Sequence, residues 1–366
     1  MLNVQKYLEK HSLEDLENEF GIVVSKYNDR ITLNYNQISS PRFHHIADEC
    51  RGLILSYPDY KIMCRSFDRF YNYMEGNTGK TKDISKLYVC SKEDGSLINM
   101  YFDGDKWCLA TRKMAFAEGT TALGTSYYDL FEKTLGMDIQ NFADECDLLP
   151  EYTYIFELCT PENRVVKDYG KPVIFLIGIR NNNYGYYILP EAFDDWLMIF
   201  KIVGVNIDIP KKYFFNSIDN IMESMEKLPT MDEGYVCYDY DGIPIMKIKN
   251  PSYVAIHKLR DNGALVPKRI VSLIHMNEHE EYLVYFPEDR VYFDPYINAY
   301  DNFKKDIKRV WDETKHIENQ KDFAMKVKDL PIAGILFSLR KGMEIDEIFN
   351  NIVDRKLTEM VEKYKE

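Results

Sequence analysis

The chain is 366 residues long, which at roughly 100 to 200 residues per domain implies two domains or one large one. A composition that is 45% hydrophobic and 29% charged, with a mean hydropathy of −0.39, excludes disordered and collagen-like chains, and no apolar run approaches the roughly 18 residues a membrane span needs. The formal charge of −13 argues against coating nucleic acid by bulk charge, so any nucleic-acid site must be local.

The first twenty residues are an acid-rich amphipathic pattern without the basic and apolar regions of a secretory signal, so the protein is expected to begin here and to work in the cytoplasm. Seven cysteines stand at irregular spacings with no CxxC pair, which argues against a disulfide framework and a structural zinc site. Up to about residue 255 the chain reads mainly as strands. Arg51, in Asp48-Glu49-Cys50-Arg51-Gly52, enters an apolar strand; its plain reading is an ion pair with Glu49 or Asp48. Strands are predicted over Leu87–Ser91, Leu97–Phe102 and Lys106–Thr111, the last two joined by the hairpin signal Asp103-Gly104.

Lys92-Glu93-Asp94-Gly95-Ser96 falls in a turn between the first two of these strands. Alone it is a weak pattern. It is either a polar hairpin turn with a solvated lysine or a nucleophile, which must be deprotonated and so needs burial or cationic neighbours. Tyr152–Leu158 and Val173–Ile179 are further strands, and Pro190–Val203 is a helix closed by Gly204. A second hairpin joins Tyr235–Tyr240 to Pro244–Ile248 through Asp241-Gly242. Glu157 and Glu233 both sit in apolar strand contexts, where a carboxylate is costly unless paired or metal-bound. Lys247 and Lys249, two apart on a strand, share a face; they suit a polyphosphate, or else a solvated strand edge.

From Lys247 to Arg269, six basic residues face one acid, a run that either follows a nucleic-acid backbone or is a solvated face. Beyond Lys258 the period becomes helical, as in Ile297, Tyr300, Phe303, Ile307 and Val310. Asp261-Asn262-Gly263 is the predicted break. The fold expected is α+β: a domain over 1–262 with antiparallel sheets, then an all-α domain over 263–366.

In order, ECRGL (49–53), KEDGS (92–96), FELCTPENR (156–164), EGYV (233–236) and KIK (247–249) resemble the motifs of the covalent nucleotidyltransferase superfamily of polynucleotide ligases and capping enzymes. ECRGL, the segment Arg65–Asn72 and Pro161-Glu162-Asn163-Arg164 make the chain most similar to the RNA ligase 1 family of T-even bacteriophages, over nearly its whole length. The resemblance implies an ATP-grasp-like adenylation domain and an ATP-dependent RNA ligase. Lys92 would attack the α-phosphorus of ATP to give a covalent lysyl-AMP, then pass AMP to an RNA 5′-phosphate, which a 3′-hydroxyl attacks. Lys247 and Lys249 would promote adenylyl transfer. Glu233 and Asp94 would serve a Mg2+ or Mn2+ ion, Asp94 by positioning metal-bound water. Glu157 would contact the nucleoside sugar, with Glu93 and Gly95 completing the lysine motif.

Arg51 would engage the nucleotide, Tyr253 would lie near it, and Arg69 and Tyr71 would replace a KFFN-like segment of the family. Ala110-Thr111-Arg112-Lys113-Met114 lacks the glycine usual after the basic residue, which leaves Arg112 and Lys113 both open for that motif. The implied partner is RNA with 5′-phosphate and 3′-hydroxyl ends, a nicked tRNA by family analogy, and the protein is expected to be a monomer without membrane association. A composition rich in Lys, Asn, Ile and Tyr suits an AT-rich viral genome, hence a host cytoplasm. The rivals are a catalytically silent RNA-binding protein on the same fold, and a DNA ligase or capping enzyme. The latter usually carries an all-β OB-fold after the KIK motif, whereas this tail reads as helices.

Overall fold

The alternating runs of the first 257 residues become fourteen strands in the computed structural model, which describes residues 1–37, 39–73, 75, 87–259, 265–276, 279–343, 345–350 and 352–365. In chain order these are β1 (Ile22–Lys26), β2 (Arg30–Tyr35), β3 (Arg51–Ser56), β4 (Ile62–Cys64), β5 (Tyr71–Asn72), β6 (Tyr88–Ser91) and β7 (Ser96–Phe102). They continue with β8 (Trp107–Thr111), β9 (Tyr152–Cys159), β10 (Val173–Asn181), β11 (Ile207–Asp208), β12 (Lys212–Tyr213), β13 (Gly234–Tyr238) and β14 (Pro244–Lys249). Three sheets result, ordered β1-β2-β3-β4, β11-β10-β9-β7-β8 and β12-β6-β13-β14-β5. Pairing is antiparallel except at two edges, where the two-residue strands β11 and β5 run parallel to β10 and β14.

The turn chemistry explains both predicted hairpins. Asp103 Oδ1 accepts the N–H groups of Asp105 and Lys106, each at 3.0 Å, and closes β7 onto β8. Asp239 Oδ1 does the same for Asp241 and Ile243 between β13 and β14.

Of the two readings of the lysine motif, the hairpin turn falls. Residues 92–95 are not a hairpin turn, because β6 pairs with β13 in the third sheet whereas β7 pairs with β8 and β9 in the second. The lysine motif is a crossover between two sheets, and that places Lys92 at their junction.

The first 255 residues also hold more helix than alternation suggested. Tyr127–Leu135 and Ile139–Glu145 are each started by a cap, Ser126 accepting from Asp129 N and Asp138 from Gln140 and Asn141 N. With Phe193–Val203 they cover the second sheet, packing Leu130, Phe131, Phe142 and Phe200 onto Ile98, Phe156 and Leu176. Helices Asn3–Leu8 and Leu13–Phe20 pack similarly on the first sheet through Val4, Leu8, Leu16 and Phe20.

The chain divides into two units, Met1–His257 and Lys258–Glu366. The break foreseen at Asp261-Asn262-Gly263 lies outside the described residues. The second unit is helical, its longest helix being Arg290–Thr314, whose buried stripe of Phe293, Tyr296, Tyr300, Phe303, Ile307 and Val310 follows the helical period. Phe349 stacks on Phe303 at 5.6 Å between ring centroids. Among the described residues no helix is long and apolar enough to cross a membrane.

Candidate active site

The register of the third sheet builds the centre of the site. In β13 and β14, Gly234 lies opposite Lys249 and Val236 opposite Lys247. On the other side of β13, Tyr235 lies opposite Ser91, and Lys92 N–H donates to Gly234 O at 2.8 Å. Lys92, Glu233 and Lys249 are thereby brought side by side from three distant segments. Gly234 is required here: its φ is +129°, and a Cβ would collide with the Ile248 carbonyl oxygen. Gly95 is equally constrained, since a Cβ would meet Leu158 O and Cys159 Sγ of β9. Its bare backbone lets the Gly95 N–H donate to Glu157 Oε1 at 3.0 Å, which ties the lysine motif to the second sheet.

A cleft of about 170 Å³ opens at this junction. Lys92, Lys247, Lys249 and Arg51 line it with Glu93, Glu157 and Glu233, and Phe67, Phe70, Leu97, Ile177, Val236 and Tyr238 supply its apolar wall. Glu233 is buried and clamped by two ammonium groups, Lys92 Nζ at 2.7 Å from Oε2 and Lys249 Nζ at 2.8 Å from Oε1. The expectation that neighbouring cations depress Lys92 fails as a result. Burial does pull its ammonium down, but Glu233 and Glu157 outweigh that and raise it.

The depressed lysine is Lys247. Burial, with Lys92, Arg51 and Lys249 nearby, pushes it down to about 7. Burial pushes the Glu157 carboxyl up to about 7, Lys92 opposing and Glu233 reinforcing.

Arg51 escapes the ion pair that was its plain reading. Glu49 is taken by Asn3 and Val4, its Oε2 accepting Val4 N–H at 2.9 Å, and Asp48 accepts the Tyr71 hydroxyl. Arg51 and Lys247 lie instead over the Phe70 ring, at 5.8 and 5.3 Å from its centroid. Arg69 and Arg112 stack on Tyr35 at 4.0 and 4.4 Å. Among the described residues, three buried nitrogens of this group, Arg51 Nη1, Arg69 Nη1 and Arg112 Nε, find no hydrogen-bond partner. Burial, together with Arg51 and Arg69, pulls Arg112 below its ordinary value, as expected of cations gathered without an anion. Lys113 is exposed, so the geometry favours Arg112 for the motif that the sequence left open.

Three residues expected on the ligand side stand outside the cleft lining. Asp94 does not line the cleft: Oδ2 accepts Val166 and Lys167 N–H at 2.8 Å each, and Oδ1 accepts the Tyr253 hydroxyl at 2.6 Å. This buried carboxylate braces the loop from behind and lies outside the cleft lining. Tyr253, buried and bonded to Asp94, belongs to the same bracing. Tyr71 also points elsewhere, its hydroxyl between Asp48 and Phe43 N–H and its ring stacked on Phe43 at 4.1 Å; its neighbour Phe70 forms the wall.

Val236 and Tyr238 were not foreseen, although strand alternation puts them on one face of β13. Among the described residues no three His, Cys, Asp or Glu side chains gather to hold a metal. A magnesium ion, however, usually takes only one or two carboxylates plus substrate phosphates, and Glu233 and Glu157 on the cleft wall fit that pattern.

The RNA ligase family model matches residues 49–253, more than half of the chain and every residue lining the cleft. The chain belongs to the RNA ligase family. A protein of Autographa californica nuclear polyhedrosis virus described as a bifunctional polynucleotide kinase/RNA ligase is 30% identical over 94% of this chain, which spans 50% of that relative's length. The RNA ligase of Rhodothermus phage RM378 is 24% identical over 96% of this chain and 93% of its own. An archaeal ATP-dependent RNA ligase structure aligns over 100% of this chain and 80% of its own, with 12% identity and a TM-score of 0.46, a distant likeness.

Proposed function

We propose that the protein is an ATP-dependent RNA ligase that seals RNA 5′-phosphate to 3′-hydroxyl ends, with Lys92 as nucleophile. The observation that carries this reading is the cleft itself, where a lysine amine stands among Lys247, Lys249 and Arg51 and where, among the described residues, each nearby arginine keeps a nitrogen without a hydrogen-bond partner. Unmet donors on half-buried cations are costly, and a nucleotide triphosphate supplies the acceptors they lack.

The reaction class needs little covalent chemistry beyond the nucleophile, so catalysis is placement plus neutralisation of phosphate charge. Lys92, held as an ammonium in the empty cleft, first gives a proton to solvent; its Nζ then forms a bond to the α-phosphorus of ATP, losing a second proton, as the bond to the bridging oxygen breaks and pyrophosphate leaves with that electron pair. Lys247 and Lys249 neutralise the α-phosphate; Arg51, Arg69 and Arg112 receive the departing phosphates. AMP then passes to the RNA 5′-phosphate, and attack of a 3′-hydroxyl on that activated end forms the phosphodiester and frees AMP. Mg2+ or Mn2+, held by Glu233 and Glu157, would add charge screening on the phosphate oxygens. By family likeness the substrate is a tRNA nicked in a loop, and the helical unit selects it.

The test is sealing itself. A 5′-phosphorylated single-stranded RNA should be circularised with ATP and magnesium, and the same RNA bearing a 5′-hydroxyl should not. Sealing of nicked duplex DNA in preference to RNA would contradict the assignment.

A further inference from the structure

The loop that carries Lys92 is held from behind by a short segment that begins in the FELCTPENR motif and runs past it to Tyr169. After β9 the chain turns at Thr160, where Asn163 Oδ1 accepts Thr160 N–H at 2.8 Å while its Nδ2 donates to Leu158 O at 2.8 Å and Ser96 Oγ at 2.9 Å. That clip fixes the next residues, Val166 and Lys167, whose N–H groups hold Asp94 Oδ2. At its far end stands Tyr169. Its hydroxyl donates to Glu93 Oε2 at 2.8 Å and accepts the Asp94 N–H, also at 2.8 Å. Glu93 Oε1 in turn accepts the Ser91 hydroxyl.

One phenol oxygen therefore ties together the residues on both sides of Lys92. Ser91 is reached through Glu93, and Asp94 directly through its backbone. The ring is fixed as well, packed on Phe175 at 5.6 Å and under Lys167 Nζ at 4.9 Å. Lys167 is itself paired with Asp232 at 3.0 Å, next to Glu233. Burial and the adjacent Glu93 raise the phenol far above its ordinary value, so it remains a donor at any working pH.

We propose that Tyr169 is the positioning residue for Lys92: its hydroxyl sets the path of the 91–95 crossover and so aims Nζ into the cleft, without touching nucleotide. The proposal rests on Lys92 being the nucleophile. It predicts that the hydroxyl governs how fast the lysine reacts and not how tightly ATP binds, since the phosphate-facing arginines and lysines are held by other contacts. A misplacement on the order of 1 Å at a reacting atom costs about 100-fold in rate.

The test is single-turnover formation of the lysyl-AMP protein across ATP concentrations, in wild type and Tyr169→Phe. The phenylalanine variant should react about 10- to 100-fold more slowly at saturating ATP, with half-saturation changed less than about twofold and the thermal midpoint nearly unmoved. An unchanged maximal rate, or a loss confined to ATP affinity, overturns the proposal. Should Tyr169→Phe be unstable, Glu93→Gln probes the same link from its other end. Where both fold, the double variant should be no slower than the slower single one; fully additive losses would show two independent sites and overturn the proposal. Absence of lysyl-AMP in the wild type is a different failure, because it removes the nucleophile assignment itself.

Discussion

Two groups of arginine in the first unit, one buried and one half-buried, show opposite solutions to the same electrostatic problem. Arg30, on β2 of the first sheet, is 4% exposed, and its guanidinium is fully met: Asp29 at 2.6 Å, Asp103 at 3.1 Å and the Tyr101 hydroxyl at 2.9 Å. Arg51, Arg69 and Arg112 lie around Tyr35 and Phe70, each with one buried nitrogen that finds no hydrogen-bond partner among the described residues. The carboxylates that precede Arg51 are turned to other donors, Glu49 to Asn3 and Val4 and Asp48 to Tyr71. A buried cation paired with its own acid is scaffold, and a half-buried one with an unmet donor keeps it for a ligand.

The contrast breaks most sharply by removing one arginine from each group. Arg51→Met should slow lysyl-AMP formation about 100-fold, because a cation facing the transferred phosphates is gone. Its thermal midpoint should hold or rise, since an unmet buried donor, worth about 1 to 3 kcal/mol of cost, is removed.

Arg30→Met should do the reverse. Breaking a buried pair costs about 3 to 5 kcal/mol in urea unfolding, while activity per folded molecule stays within about twofold. A pH signature accompanies it. Burial works against the Asp103 carboxylate, but the Lys106 and Asp105 N–H groups and the Arg30 guanidinium hold it down to about 2. The stability it contributes is complete above the ordinary carboxylate range and is lost as pH falls toward 2. Acid unfolding of Arg30→Met should therefore begin at a higher pH than that of wild type. If Arg51→Met destabilises as Arg30→Met does, the distinction between the two groups is wrong.

A smaller effect sharpens the comparison. With Lys247 pushed down to about 7, a large fraction of that amine is neutral in the empty cleft at pH 8. Bringing phosphate against it favours the ammonium, so ATP binding in metal-free buffer should take up a fraction of a proton at pH 8, and less as pH falls below 7. Calorimetry in buffers of different ionisation enthalpy reads the uptake directly. Lys247→Met should abolish it.

Much of this site was legible because its chemistry is carried by residue types in a fixed order. Lys92, Glu157, Glu233, Lys247, Lys249 and Arg51 were all singled out from the sequence, and the structure brings them to one cleft. What the sequence concealed was direction. Asp94 and Tyr253 read as ligand-facing, yet they bond to each other behind the loop, 159 positions apart, because a buried carboxylate takes donors wherever the fold delivers them. Tyr71 and Phe70 exchanged roles because alternation in a two-residue strand gives no register to read.

Strand and hairpin predictions held where Asp-Gly turns marked them. The sequence left a hairpin open at Lys92 because two adjacent strands with a polar turn look alike whether or not they share a sheet. Tyr169 could not have been found at all, since its links to Glu93 and Asp94 span 76 and 75 positions without any local signature.

The central claim is that the cleft receives ATP and that Lys92 takes the AMP. Its most direct test is to strip the folded protein with pyrophosphate, incubate it with ATP and magnesium, and map any adenylate adduct by peptide mass spectrometry. An acid-labile AMP adduct on the peptide containing Lys92, absent in Lys92→Ala and reversed by pyrophosphate, is the predicted result. No adduct, or an adduct on another residue, would contradict it.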